Sequence, residues 1–150
     1  MNLNHLLEFE HHANSNIIAA LEYLNLPKDE RPMSLMSHVI NALELYLKVI
    51  RGESYAGFDG WADLDLSDMQ QRLNGYIEEY KTLIQTEDTA RLIIRNTSKG
   101  DIADKVEDLI LHVLFHSEHH RSQIAMLISE RIKLPPSSNF IIFAREHPTN

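Results

Sequence analysis

Apolar residues return every three or four positions along four long stretches of this chain, and in two of them histidine takes an apolar place. That spacing is the buried face of an α-helix. The first stretch runs from Leu3 to Leu24, with Leu3, Leu7, Ile17, Ile18 and Leu21 on one side, and is closed by Pro27 and the charged KDER after it. The second, from about Ser34 to Arg51, carries Leu35, His38, Ala42, Leu45, Tyr46 and Val49 and stops at Gly52. The third starts at Ser67, where Ser-Asp-Met-Gln has the form of a capping box, and continues through Leu73, Tyr76, Ile77, Tyr80 and Leu83. The fourth is expected from about Asp101 to Ile132, ahead of Pro135-Pro136. Four helices with one apolar face each bury those faces together, so the expected fold is all-α, a four-helix bundle forming a single domain over residues 1–150. Two short apolar runs, near 91–97 and 139–145, read as extended segments packed on the bundle, without a sheet.

Composition narrows what such a bundle does. The chain has no cysteine, which excludes disulfides, thiolate metal ligands and a thiol nucleophile of its own. The lack of cysteine fits a cytoplasmic protein. The N-terminal MNLNHLLEFEHH has no basic region of the kind that opens a secretory signal, and no apolar run is long enough for a bilayer. A formal charge of -8 with scattered lysines and arginines argues against a nucleic-acid partner.

The stretch HVLFHSEHH, residues 112 to 120, holds four histidines in nine positions of the last helix. Its apolar stripe reads Ile102, Val106, Leu109, Val113, then His116, His120, Ile124 and Leu127. His116 and His120 thus stand where aliphatic side chains are expected, while His112 and His119 fall toward an edge. Histidines four apart on a helix can converge on one metal ion. His112 with His116 has the same spacing, so spacing alone leaves two pairs open. His38 sits in the middle of the second helix's stripe, so two helices bring imidazole into one core. A buried neutral ring needs both a donor and an acceptor partner, and several together are hard to satisfy with protein alone.

At these residues the chain resembles the DinB/YfiT-like metalloproteins. The family's second helix carries a histidine in a pattern like HILNAEELWL, and HVINALELYL stands at 38–47 here. Its last helix carries H-x-x-x-H-R-G-Q, matched by HSEHHRSQI at 116–124 with Ser122 in place of the glycine. FEHHANSNIIAAL, at 9–21, is similar to the opening helix, with Ser15 near the place of a frequent tryptophan, and NFIIFARE is similar to the closing segment. The resemblance spans nearly the whole chain. It implies a four-helix bundle with a tri-histidine divalent-metal site at His38, His116 and His120, and relatives that often form homodimers.

Three neutral imidazoles leave an ion with its charge and with open positions, the arrangement of a catalytic site. Such an ion acidifies a bound water and deprotonates a bound thiol. Imidazole suits several metals; zinc or nickel is expected, with iron or manganese as the next choices. Relatives imply enzymes that activate a low-molecular-weight thiol and transfer it to a small-molecule electrophile. The other readings are a hydrolase using an activated water, and a non-enzymatic bundle that holds a metal or ligand in a stress response. Glu10 and Asn14 lie on the inward sector of the first helix with His11 beside them, and Gln123 falls near His116 and His120. These are the candidates to orient ligands or accept a proton. Arg121 points away from the ligand face, toward a carboxylate on another helix, and His12 toward the surface. Trp61 is a candidate lid or bundle cap; Tyr76 and Tyr80 would serve a dimer face or the core.

Overall fold

The structure, a computed structural model, describes residues 2–133 and 139–149. Four long helices form the bundle: α1 (Leu3–Leu24), α2 (Arg31–Arg51), α3 (Leu66–Thr86) and α4 (Val106–Ile128). A hairpin of β1 (Leu92–Thr97) and β2 (Gly100–Lys105) joins α3 to α4, and a short α5 (Phe140–Glu146) follows. Leu7, Leu21, Leu35, Ile40, Leu43, Leu73, Ile110 and Ile124 are among the buried residues at the centre of the bundle. No helix among the described residues is long and apolar enough to cross a membrane.

Helix ends follow local chemistry. Asn25 takes the left-handed conformation after α1 (φ 51°), and Gly52 does the same after α2 (φ 68°). α2 begins at Arg31, before the expected Ser34, because Pro32 is favourable in a first turn where no partner is needed for its nitrogen. α3 begins at Leu66 with Asp65 in the cap position, so Ser67 lies inside the first turn and the expected capping box does not form.

Two other expectations change. Residues 100–105 are a strand, and α4 starts at Val106; β2 pairs antiparallel with β1, Thr97 opposite Gly100 and Leu92 opposite Lys105. Gly100, at φ 109°, makes the turn that a side chain would strain. Ile102 is therefore exposed on the hairpin and does not extend the α4 stripe. The tail is a helix, with Phe140 and Phe143 one turn apart against the rings of His5 and Phe9 on α1. That contact outweighs the strand preference of Ile141 and Ile142. α4 ends at Ile128. Pro135 and Pro136 lie outside the described residues.

α4 packs against α2 and α1, and α3 packs against the same two helices from the other side. Glu44 meets Tyr76 and Arg51 meets Glu79, so α2 and α3 run side by side in the same direction. The chain must then travel back along α2 between them. Segment 53–65 does so, pinned by Asn41 Nδ2 donating to the Ala62 carbonyl (2.9 Å) and Leu64 N donating to Ser37 Oγ (3.0 Å). This return path carries Gly60 and Trp61 to His38. Tyr80 is fully buried and its hydroxyl donates to the Leu43 carbonyl (2.8 Å), so it belongs to the core and offers nothing to a dimer face.

Candidate metal centre

His38 projects from α2 toward His116 and His120, one turn apart on the antiparallel α4. Metal-ligating nitrogens of the three rings lie within 4.8 Å of one another. Ring centroids are 4.9 Å apart from His38 to each partner and 4.5 Å between His116 and His120. The His38 and His116 Nε2 atoms are 3.1 Å apart. Bonds of 2.0–2.1 Å around a tetrahedral ion place its ligands roughly 3.3 Å from one another, so this spacing suits a shared cation.

Proton placement supports that fit. His38 Nδ1 is 2.7 Å from the Gly60 carbonyl oxygen, and His120 Nδ1 is 2.7 Å from Gln123 Oε1. Both oxygens only accept, so both Nδ1 atoms carry the proton and both Nε2 atoms present a lone pair to the centre. His116 completes the set at a cost. Without a cation its Nε2–H donates to His38 Nε2; its buried Nδ1 has no partner among the described residues in either case. A cation held by His38, His116 and His120 would take up the lone pairs that face one another there. Burial, and then the neighbouring His120, His38, His112 and His119, push the His116 pKa down to about 4. His120 is lowered chiefly by burial, opposed by the Gln123 hydrogen bond, with Arg31 among the smaller contributors. Both rings are therefore neutral at pH 7, the form in which imidazole can ligate a metal.

Trp61 stacks flat on His38, with ring centroids 3.9 Å apart and planes 2° from parallel. It shields one side of the centre, the lid position considered from sequence. His112 and His119 are exposed, as their edge positions require. The selection of His116 with His120 over His112 with His116 follows: the His112 and His116 ring centroids stand 6.5 Å apart, and His112 faces Tyr46.

Gln123 stands where the sequence put it. Glu10 and Asn14 are buried as expected, yet in a different polar cluster. Arg121, 1% exposed, donates through Nη1 to Glu10 Oε2 (2.6 Å), Asn14 Oδ1 (2.9 Å) and Ser117 Oγ (2.8 Å), and through Nη2 to Glu118 Oε2 (2.7 Å). Ser117 Oγ donates to Glu10 Oε1, which also accepts from Asn14 Nδ2 (2.6 Å). Arg121 thus meets the carboxylate on another helix that the sequence called for, and Glu10 is that carboxylate. Burial opposes the guanidinium charge, and Glu10 with Glu118 more than restores it, so the Arg121 pKa is raised. His11 Nε2 bonds Asn74 Oδ1 (2.7 Å) and His12 pairs with Asn16, so neither ring joins the metal centre. Sequence reasoning missed Ser117 and Gly60; the Gly60 group is a backbone carbonyl on a loop, which no side-chain pattern announces.

Residues 2–145 match the sequence model of the DinB family, and the chain belongs to that family. No curated protein matches it.

Proposed function

We propose that this DinB family protein is a metal-dependent transferase that uses a low-molecular-weight thiol as cosubstrate, with His38, His116 and His120 as the metal ligands. The observation that carries this reading is the donor set: converging neutral imidazoles, two of them fixed through Nδ1 by carbonyl oxygens, with no carboxylate completing the group among the described residues. A divalent ion bound there, zinc or nickel being our choice among the metals imidazole suits, would supply Lewis acidity that lowers the pKa of a thiol or water. The chain has no cysteine, so a sulfur nucleophile has to arrive from outside. Hydrolysis would want a base beside the centre, and Glu10, the best candidate in the sequence, has both oxygens committed to Arg121, Ser117 and Asn14. A thiol needs no such base: its proton leaves to solvent, its sulfur forms the new bond to an electrophilic carbon, and the leaving group departs with the bonding pair. Gly60 and Gln123 hold two rings in orientation, and Trp61 keeps water from one face of His38.

The test is elemental analysis of purified wild type and His116→Ala, followed by zinc- and nickel-loaded assays with a panel of thiols, electrophiles and model esters. Stoichiometric metal that is lost in the variant, with thiol-dependent turnover, is the expected outcome. Turnover of esters without thiol would reject the transferase. A metal-free wild type would reject the centre itself.

A further inference from the structure

One cation beside the centre has no acidic partner among the described residues. Arg31, the first residue of α2, makes no ion pair among the described residues; Glu30 next to it is bound to Arg131. The Arg31 guanidinium carbon lies 5.4 Å from the centre of the Trp61 ring, which stacks on His38 and meets His120 edge-on. A guanidinium resting on an indole is held in position while its N–H edge stays available for a bidentate acceptor. In a chain of formal charge -8, Arg31 stands beside the histidines with no acidic partner among the described residues. Next to it, α2 and α4 part into a cavity of about 270 Å³ lined by Arg31, Leu35, Gln123, Met126 and Leu127. Leu35 precedes His38 by three residues and Gln123 follows His120 by three, so the cavity opens one helical turn from the metal ligands. Its walls are largely apolar, with Met126 77% and Leu127 45% exposed. Its volume falls just below the range of about 300 to 1,000 Å³ usual for ligand sites, so it takes only a small molecule.

We propose that Arg31, Trp61 and this cavity form the substrate subsite of the tri-histidine centre, and that it takes a small organic carboxylate with an apolar or aromatic body. Arg31 pairs with the carboxylate, and the body lies on Leu35, Met126 and Leu127. This deepens the transferase reading by naming the class of its electrophilic substrate, and it rests on that reading.

Trp61 is the only tryptophan of the chain, so its fluorescence reports on the subsite directly. The probes are 3-phenylpropanoate and its neutral isostere 3-phenylpropanamide, titrated into wild type, Arg31→Gln and His116→Ala, each with its metal content measured. The acid is expected to bind wild type about fivefold or more tightly than the amide. Arg31→Gln, an exposed change, is expected to erase that preference with metal content unchanged. Equal binding of the two probes by wild type overturns the proposal. So does a preference that survives Arg31→Gln and vanishes in His116→Ala, which would put the carboxylate on the metal. An Arg31-dependent preference in a protein that holds no metal would support the subsite while the metal reading fell.

Discussion

Arg121→Met tests whether Glu10 is a counter-charge of the core or a base of the metal centre. The substitution keeps most of the volume and removes the guanidinium. Glu10, itself 1% exposed, would keep the Ser117 hydroxyl and the Asn14 amide but lose the one cation it pairs with among the described residues. Breaking a buried pair from one side costs about 3–5 kcal/mol. The lost Glu118 contact adds little, because that carboxylate is 39% exposed. With a urea dependence of about 2 kcal/mol per molar, the midpoint should fall by roughly 2 M. Glu10→Leu with Arg121→Met removes both charges and leaves Asn14 and Ser117 poorly satisfied, costing about 1–3 kcal/mol. The double variant, which deletes more hydrogen bonds, is thus expected to be more stable than Arg121→Met alone. Urea unfolding of wild type, both single variants and the double variant measures the cycle. A double variant no more stable than Arg121→Met refutes the reasoning. Loss of bound metal from Glu10→Gln at an unchanged urea midpoint would return Glu10 to the metal centre.

Gln123→Leu takes away the acceptor of His120 Nδ1–H, so metal affinity should drop about 10- to 100-fold by chelator competition; an unchanged affinity would refute the orienting role. In metal-free protein, His116 takes a proton at about pH 4 when folded and near its ordinary 6.5 when unfolded. The unfolded chain binds that proton first, so the stability contribution is complete above pH 6.5 and is lost as pH falls through about 4. The full conversion is roughly 3 kcal/mol, and solvent around the half-buried ring reduces it to about 1–2 kcal/mol. Urea unfolding at pH 7 and pH 4.5 should therefore show a larger loss in wild type than in His116→Phe, and equal losses would refute it. Tyr80→Phe should cost about 1 kcal/mol in urea unfolding by removing the buried hydroxyl's bond to the Leu43 carbonyl, which keeps its bond within α2; a change near zero would mean that bond contributes nothing.

The bundle was legible because its signal is local and periodic. Leu7, Ile17, Ile18 and Leu21 repeat at helical spacing on α1, and Gly52 marks the end of α2 in the conformation glycine supplies most easily. The hairpin was not, because it carries almost no inward face: Ile93 is the only residue of either strand that is buried. Without an alternation of buried and exposed positions, Ile102, Val106 and Leu109 passed for one helical stripe. The tail failed for the opposite reason. NFIIFARE has strand-forming residues, and what makes it a helix is the aromatic surface of His5 and Phe9, more than a hundred residues away in sequence.

At the candidate metal centre the three histidines could be read and their surroundings could not, and α4 explains the difference. HSEHHR holds two pairs at i and i+4, set one residue apart: His116 with His120, and Ser117 with Arg121. One residue turns a helix by about 100°, so the pairs face different neighbours. The histidines meet α2 at His38, and the serine and arginine meet α1 at Glu10 and Asn14. A helical wheel drawn for α1 shows correctly that Glu10 points inward, yet it does not say which side of α4 lies opposite. Because α4 packs between α2 and α1, a carboxylate on α1 meets Arg121 and Ser117 before it can approach the ligands. The arginine directly after the second ligand is the mark of this arrangement. A buried guanidinium requires a carboxylate opposite it, and on this bundle the helix that supplies one cannot also be the helix that supplies the third imidazole.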